Sequence, residues 1–170
     1  ERINSKLSSI FNILVYSKDY YSIILSKLLS IIIEKDKEYS LRSNLIRFLN
    51  KRSDDRNIVF ENYIRYSFLS NTTHVWPTQI EGINYLLENN SFALCTPTGT
   101  GKTRIAEIAI INSLYSSNSD NNIVLYIVPS KALAIEVEQK FNKVFRDINI
   151  SEINITSLYG GTDWGPSDAF

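Results

Sequence analysis

The chain has 170 residues, enough for one good hydrophobic core or for a small unit beside a partial one. Its 18 basic and 18 acidic residues cancel, which argues against a purely electrostatic nucleic-acid binder and leaves room for a local basic groove. The apolar content of 44% is that of a globular protein, and the lone cysteine, Cys95, excludes a disulfide framework or a cysteine-based zinc cluster.

The most apolar stretch, Tyr20 to Ile33, is too short to span a bilayer and carries Ser26 and Lys27. With no leader pattern, an intracellular protein without membrane contact is expected. The chain opens on Glu1, contains no methionine and closes on the turn-rich residues 162–170, which reads as a piece of a longer protein.

Residues 1–70 read as an all-helical N-terminal region. Ile3, Leu7, Ile10, Phe11, Leu14 and Val15 recur at helical spacing. Asp19 is placed to cap a second helix carrying Ile23, Ile24, Leu28, Ile31 and Ile32. Leu41, Leu45, Phe48 and Leu49 mark a third helix, and Ile58, Tyr63, Ile64 and Phe68 a fourth. The charged runs 34–38 and 51–56 are expected as solvated turns. The apolar stripes are expected to be core against the next domain, with a docking surface for a protein partner as the sharper alternative.

A linker is expected near Ser70–Thr73, and residues 71–170 then alternate helix and strand. The pattern predicts a helix over Thr78–Leu87, a strand over Ser91–Cys95 that buries Cys95, and a helix over 101–115. It continues with a loop over Ser116–Asn122, a strand over Ile123–Val128, a helix over Lys131–Arg146 and a strand over Ile153–Leu158. The continuous apolar run Ile123–Val128 is typical of a strand buried on both faces. The expected class is α/β: a partial parallel sheet with flanking helices, preceded by the helical region.

Between the first strand and its helix stands Thr96-Pro97-Thr98-Gly99-Thr100-Gly101-Lys102-Thr103, which reads as a phosphate-binding loop. A polyphosphate must be wrapped by backbone N–H groups, so side chains must be small where the backbone comes close. Gly99 and Gly101 allow that approach and unusual backbone angles. The following helix points its unpaired N–H groups and positive end at the phosphates. Lys102 is expected to reach the β/γ-phosphates and the Thr103 hydroxyl to ligate Mg²⁺. Thr96 stands where the usual pattern opens with glycine. Pro129-Ser130-Lys131 and Tyr159-Gly160-Gly161 fall at the carboxyl ends of the other predicted strands, on the rim where such sheets bind ligands.

Upstream, Trp76-Pro77-Thr78-Gln79-Ile80-Glu81-Gly82-Ile83 puts proline in the first turn of a helix. Gln79 presents both a donor group and an acceptor, a match to adenine; His74 and Trp76 are expected to pack rather than to react. Taken with the loop, with Ile105-Ala106-Glu107-Ile108-Ala109-Ile110 and with Tyr126-Ile127-Val128-Pro129-Ser130-Lys131-Ala132-Leu133-Ala134, this segment resembles superfamily-two helicases of the Ski-like, archaeal repair-helicase type. The resemblance covers about residues 74–161 and not the helical first part. It implies a RecA-like motor lobe, ATP as nucleotide with Mg²⁺, and single-stranded nucleic acid, DNA or RNA, as the track. By the same resemblance Gln79 reads adenine and residues Thr98, Gly99, Thr100, Gly101, Lys102 and Thr103 hold the phosphates. Pro129, Ser130 and Lys131 touch the nucleic-acid backbone, and Gly160 and Gly161 let a strand backbone approach.

The family's Asp-Glu-x-His motif, its second lobe and its arginine finger are not among these residues. Hydrolysis needs metal placement, water positioning and charge stabilisation together, so little turnover is expected from the 170 residues alone. The resemblance favours 3′-to-5′ movement on a single strand. Two other outputs fit the same lobe: a double-strand translocase of restriction or remodelling type, and a nucleotide-gated interaction module that recruits a partner through residues 1–70.

Overall fold

A computed structural model describes residues 2–17, 19–49, 55–97, 99–115, 123–150 and 153–158. α1 (Arg2–Ser17) and α2 (Tyr20–Tyr39) form a hairpin. Asp19 caps α2 as its position predicts: its carboxylate accepts from the Ser22 backbone at 3.3 Å and from the Ser22 hydroxyl at 2.7 Å. The Ser22 bonds lower its carboxyl pKa below the ordinary value. Residues 34–38, expected as a turn, continue α2 instead, because lysine and glutamate are good helix formers and Lys35 pairs with Glu38 at 2.6 Å one turn on. The helix ends where Ser40 turns extended (ψ 126°).

α3 (Leu41–Leu45) follows at once, continued by a 3₁₀ turn over Ile46–Phe48. The Asn44 side chain closes the corner by donating to the carbonyls of Glu38 and Ser40, both at 2.9 Å. α4 (Asp55–Leu69) is the fourth expected helix. The linker after it is stitched back onto that corner: Leu41 donates to Thr73 and Tyr39 accepts from Val75, both at 2.8 Å.

α5 (Pro77–Leu87), α6 (Lys102–Leu114) and α7 (Lys131–Asp147) lie within a residue or two of their predicted bounds. Gly82 sets the closeness of α5 to α6: a Cβ there would stand 3.2 Å from Ile105 Cγ2. One continuous core joins the two halves of the chain. Leu45, Phe48, Phe60 and Tyr63 from the first part meet Ile83, Ile108, Phe141 and Phe145 from the second, all buried. The apolar stripes of α3 and α4 are therefore core. Those of α1 and α2 are not: Ile3, Ile24, Leu28 and Ile32 are between 51% and 63% exposed.

The helices of the α/β expectation are present, and its parallel sheet is not formed among the described residues. Residues 91–97, 123–128 and 153–158 run without helix or ladder, and the isolated pairing is an antiparallel bridge between Ser40 and His74. Ile123–Val128, expected to be buried on both faces, is open: Ile123 is 91% and Ile127 83% exposed. The physical reason is one-sided cover. Phe92 and Leu94 are half-buried, as are Ile153 and Ile155, while the residues between them are exposed. Phe92 stacks on Tyr85 of α5, and Tyr126 meets Phe141 of α7 edge-on, each at 5.3 Å. A strand covered on one side alternates in this way, whereas a strand in a doubly covered sheet does not. Cys95 falls on the uncovered side and is exposed, contrary to its expected burial.

Candidate nucleotide-binding site

α5 starts at Pro77, whose fixed φ suits a first helical turn. Trp76 occupies the N-cap, 64% exposed rather than packed. Gln79, three residues on, bends its side chain back so that Oε1 accepts from the Trp76 backbone N–H at 2.9 Å, half of a capping box. Its Nε2 donates to the carbonyl of Thr100 at 3.0 Å and to that of Gly101 at 2.9 Å. The residue expected to read adenine is thus 3% exposed and ties the start of α5 to the phosphate loop.

Within the loop, Gly99 and Gly101 both take left-handed angles, φ 86° and 75°. Gly101 is the N-cap of α6, so Lys102 and Thr103 stand in its first turn, where helical N–H groups have no partner inside the helix. The Thr100 hydroxyl lies 2.7 Å from that of Thr96 and 2.8 Å from the Pro97 carbonyl, which folds the loop over itself. Lys102 Nζ donates to the Thr96 carbonyl and, at 3.1 Å, to the Pro97 carbonyl. An ammonium held only by neutral carbonyls is readily taken over by an anion, because two full opposite charges attract more strongly than a charge and a carbonyl dipole. Arg104, also in the first turn, donates to the His74 carbonyl at 2.7 Å and so braces α6 against the approach to α5.

Glycine at 99 and 101, N–H groups at the α6 start, and a cation and a hydroxyl at 102 and 103 match a polyphosphate with its metal ion. Thr98 lies outside the described residues, as do Gly160 and Gly161. Pro129, Ser130 and Lys131 gather at the start of α7, where the Ser130 side chain accepts from the Leu133 N–H at 3.3 Å. That cap uses an acceptor lone pair, and the hydroxyl hydrogen is a separate donor.

Behind the loop, Glu107 on α6 is 6% exposed; its Oε2 accepts from the Tyr63 hydroxyl of α4 at 2.7 Å. Its Oε1 lies 3.5 Å from Lys140 Nζ of α7. Sequence reasoning passed over this trio, although a single glutamate in an otherwise apolar stretch of α6 was a signal that it needed partners. Burial raises the Tyr63 pKa well above 10.0, helped by the Glu107 charge and its hydrogen bond, with Arg104 opposing and the Tyr66 charge adding slightly.

Two mutational outcomes follow. Gln79→Ala removes three hydrogen bonds from a buried place and is expected to cost about 2–4 kcal/mol of stability. Amide exchange at Thr100–Lys102 should quicken beyond the rest of α6; unchanged exchange there would exclude the Gln79 tie. Tyr63 has a folded-state pKa raised above its unfolded value, so its contribution is full below pH 10.0 and is lost as the pH climbs through the raised value. Tyr63→Phe should melt lower at neutral pH, by about 1–3 kcal/mol for the unsatisfied Glu107 oxygen, and lose less stability above pH 10.0 than the parent. Parallel melting curves across that range would contradict this.

A loop with two left-handed glycines, followed by a lysine and a threonine on the first turn of a helix, defines a phosphate-loop nucleotide-binding protein. The sequence pattern of the DEAD/DEAH box helicases matches residues 76–166, more than half of the chain, and the chain belongs to that family. It is similar to the ATP-dependent DNA helicase Hel308 of Pyrococcus abyssi, with 42% identity over 90 residues that make 52% of this chain and 12% of Hel308. It is also similar to the Hachiman protein HamB of Bacillus cereus, with 36% identity over 83 residues, 49% of this chain and 7% of HamB. The RQC trigger complex helicase SLH1 of Saccharomyces cerevisiae is 29% identical over 137 residues, 69% of this chain and 7% of SLH1. The Hel308 and SLH1 likenesses make the chain part of a superfamily-two, Ski-like helicase, and it spans between 7% and 12% of the lengths of these three relatives. No solved structure matches. Among the described residues no helix is long and apolar enough to cross a membrane.

Proposed function

We propose that these residues are the ATP-binding part of an ATP-dependent nucleic-acid helicase that moves 3′-to-5′ on a single strand inside the cell. The observation that carries the reading is the loop itself: Gly99 and Gly101 in left-handed geometry, with the Lys102 ammonium resting on the Thr96 and Pro97 carbonyls. ATP with Mg²⁺ supplies the free energy of phosphoryl transfer. On this reading Lys102 exchanges its carbonyl partners for β/γ-phosphate oxygens, and the Thr103 hydroxyl holds the metal ion. Gly99, Thr100 and Gly101, with Thr98, present N–H groups to the phosphates. Gln79 holds the loop and turns toward adenine when nucleotide arrives. Ser130 and Lys131, together with Gly160 and Gly161, contact the strand's phosphates through N–H, hydroxyl and ammonium donors, and Pro129, which has no donor of its own, sets the turn that presents them.

The proposed organisation is a helical region over 1–70 and a partial RecA-like lobe over 71–170, whose parallel sheet is built on the segments 91–95, 123–128 and 153–158. The carboxylate pair and the arginine that hydrolysis needs are not among the 170 residues, so we infer binding without efficient turnover by these residues alone. A strand-displacement assay beside a triplex-displacement assay on the full-length protein tests the output. Displacement of a paired strand with ATP supports the helicase; triplex displacement alone identifies a double-strand translocase.

One observation favours a second role for the first region. Tyr16 and Tyr21 are 89% and 88% exposed at the turn of a hairpin whose apolar residues are largely uncovered, which suits a protein partner. Retention of a partner by residues 1–70 in a pull-down tests it; no retained partner counts against it.

A further inference from the structure

Glu107 is the one buried carboxylate among the described residues, and three helices with different duties meet on it. α6 carries it one turn after Thr103, about 6 Å along the axis from the proposed metal hydroxyl. α4, from the helical first part, supplies the buried Tyr63 at 2.7 Å. α7, which begins at Ser130 and Lys131, supplies Lys140 at 3.5 Å. Packing alone does not call for this arrangement, since apolar residues of similar volume commonly do as well as a buried ion pair.

The two arms of the carboxylate differ in kind. Tyr63 is 1% exposed, is locked in the core between α4 and α6, and makes a short, directed bond. Lys140 is about half exposed, sits on a flexible stem, and reaches a distance at which a small slide of α7 makes or breaks the contact. One oxygen is therefore fixed and the other reports where α7 stands relative to the phosphate-loop helix. Since α7 opens at the proposed strand-binding residues, a pull on its start moves Lys140, and a shift of α6 on nucleotide binding moves Glu107.

We propose that Glu107, anchored by Tyr63 and reached by Lys140, is a positioning residue that couples nucleotide at Lys102 and Thr103 to the strand at the start of α7. The proposal rests on the nucleotide and nucleic-acid reading given above. Its consequence is that strand and nucleotide change each other's affinity through this carboxylate, by the same factor in both directions.

The test is the dissociation constant of a non-hydrolysable ATP analogue with Mg²⁺, measured on the full-length protein with and without a single-stranded oligonucleotide. The ratio of the two constants is the coupling factor, commonly about 5–150-fold where sites are linked. In Lys140→Gln, a surface change, the constant without oligonucleotide should stay within about twofold of the parent, while the coupling factor falls toward one. Lys140→Arg should restore it. Tyr63→Phe should lower the factor too, and Lys140→Gln added to Tyr63→Phe should cost little more, because both act through one carboxylate. A coupling factor that survives Lys140→Gln, or two losses that multiply independently, overturns the proposal while leaving the nucleotide site in place. Failure of the parent protein to bind the analogue at all overturns the functional reading and this proposal with it.

Discussion

Replacing Lys102 with alanine is expected to abolish the ATP-driven unwinding proposed for the full-length protein while leaving the fold intact. The ammonium is exposed, and in the free loop it bonds only to two backbone carbonyls, Thr96 and Pro97, which remain accessible to water when it is removed. Melting should therefore shift by no more than about 0.5 kcal/mol, as for a surface substitution. The rate should fall much further. A cation aimed at charge that develops on a transferring phosphoryl group is worth about 10²–10³-fold in turnover, and weaker triphosphate binding adds to the loss. ATP turnover and strand displacement, measured beside a melting curve, separate the two effects. Normal unwinding by a folded Lys102→Ala protein would remove Lys102 from the site.

Gly101→Ala should damage both stability and nucleotide binding. Its φ of 75° strains any residue with a Cβ by about 1–2 kcal/mol. The added carbon would stand 2.4 Å from Gln79 Nε2, so the amide must leave its place against Thr100 and Gly101. Two lost hydrogen bonds bring the total to about 2–4 kcal/mol. Gly99→Ala is the matched comparison. Its φ is 86°, but nothing lies within 4 Å of the new carbon, so the strain stands alone, near 1–2 kcal/mol. Chemical denaturation of the two variants should place Gly101→Ala well below Gly99→Ala; equal stabilities would mean that Gln79 does not hold the loop.

Much of the helical scaffold was legible in the chain because each boundary carries its own chemistry. Asp19 caps α2, Pro77 opens α5, Gly101 and the lysine after it open α6, and Ser130 caps α7. The run 34–38 misleads because charge marks solvent exposure, which a helix face provides as well as a turn. The exposure of Ile123–Val128 was not legible because it depends on which layers cover the segment, and neighbours in space leave no periodicity in an apolar run. Around the site, residue types announced the loop but not its internal bonds. Glutamine at position 79 fits adenine and fits a cap equally well, and tryptophan at the N-cap hides the usual Ser/Thr signal for the latter. The Tyr63–Glu107–Lys140 trio joins residues 44 and 33 positions apart, a contact that no local pattern encodes.

The central claim is that residues 96–103, backed by Gln79, hold an adenine nucleotide through its phosphates. The most direct test is calorimetric titration of ATP and of GTP, each with Mg²⁺, into the chain and into its Lys102→Ala variant. The expected result is saturable binding of ATP, weaker binding of GTP, and loss of both when Lys102 is replaced. Heats that do not saturate with ATP, or ATP binding that Lys102→Ala leaves unchanged, would contradict the account.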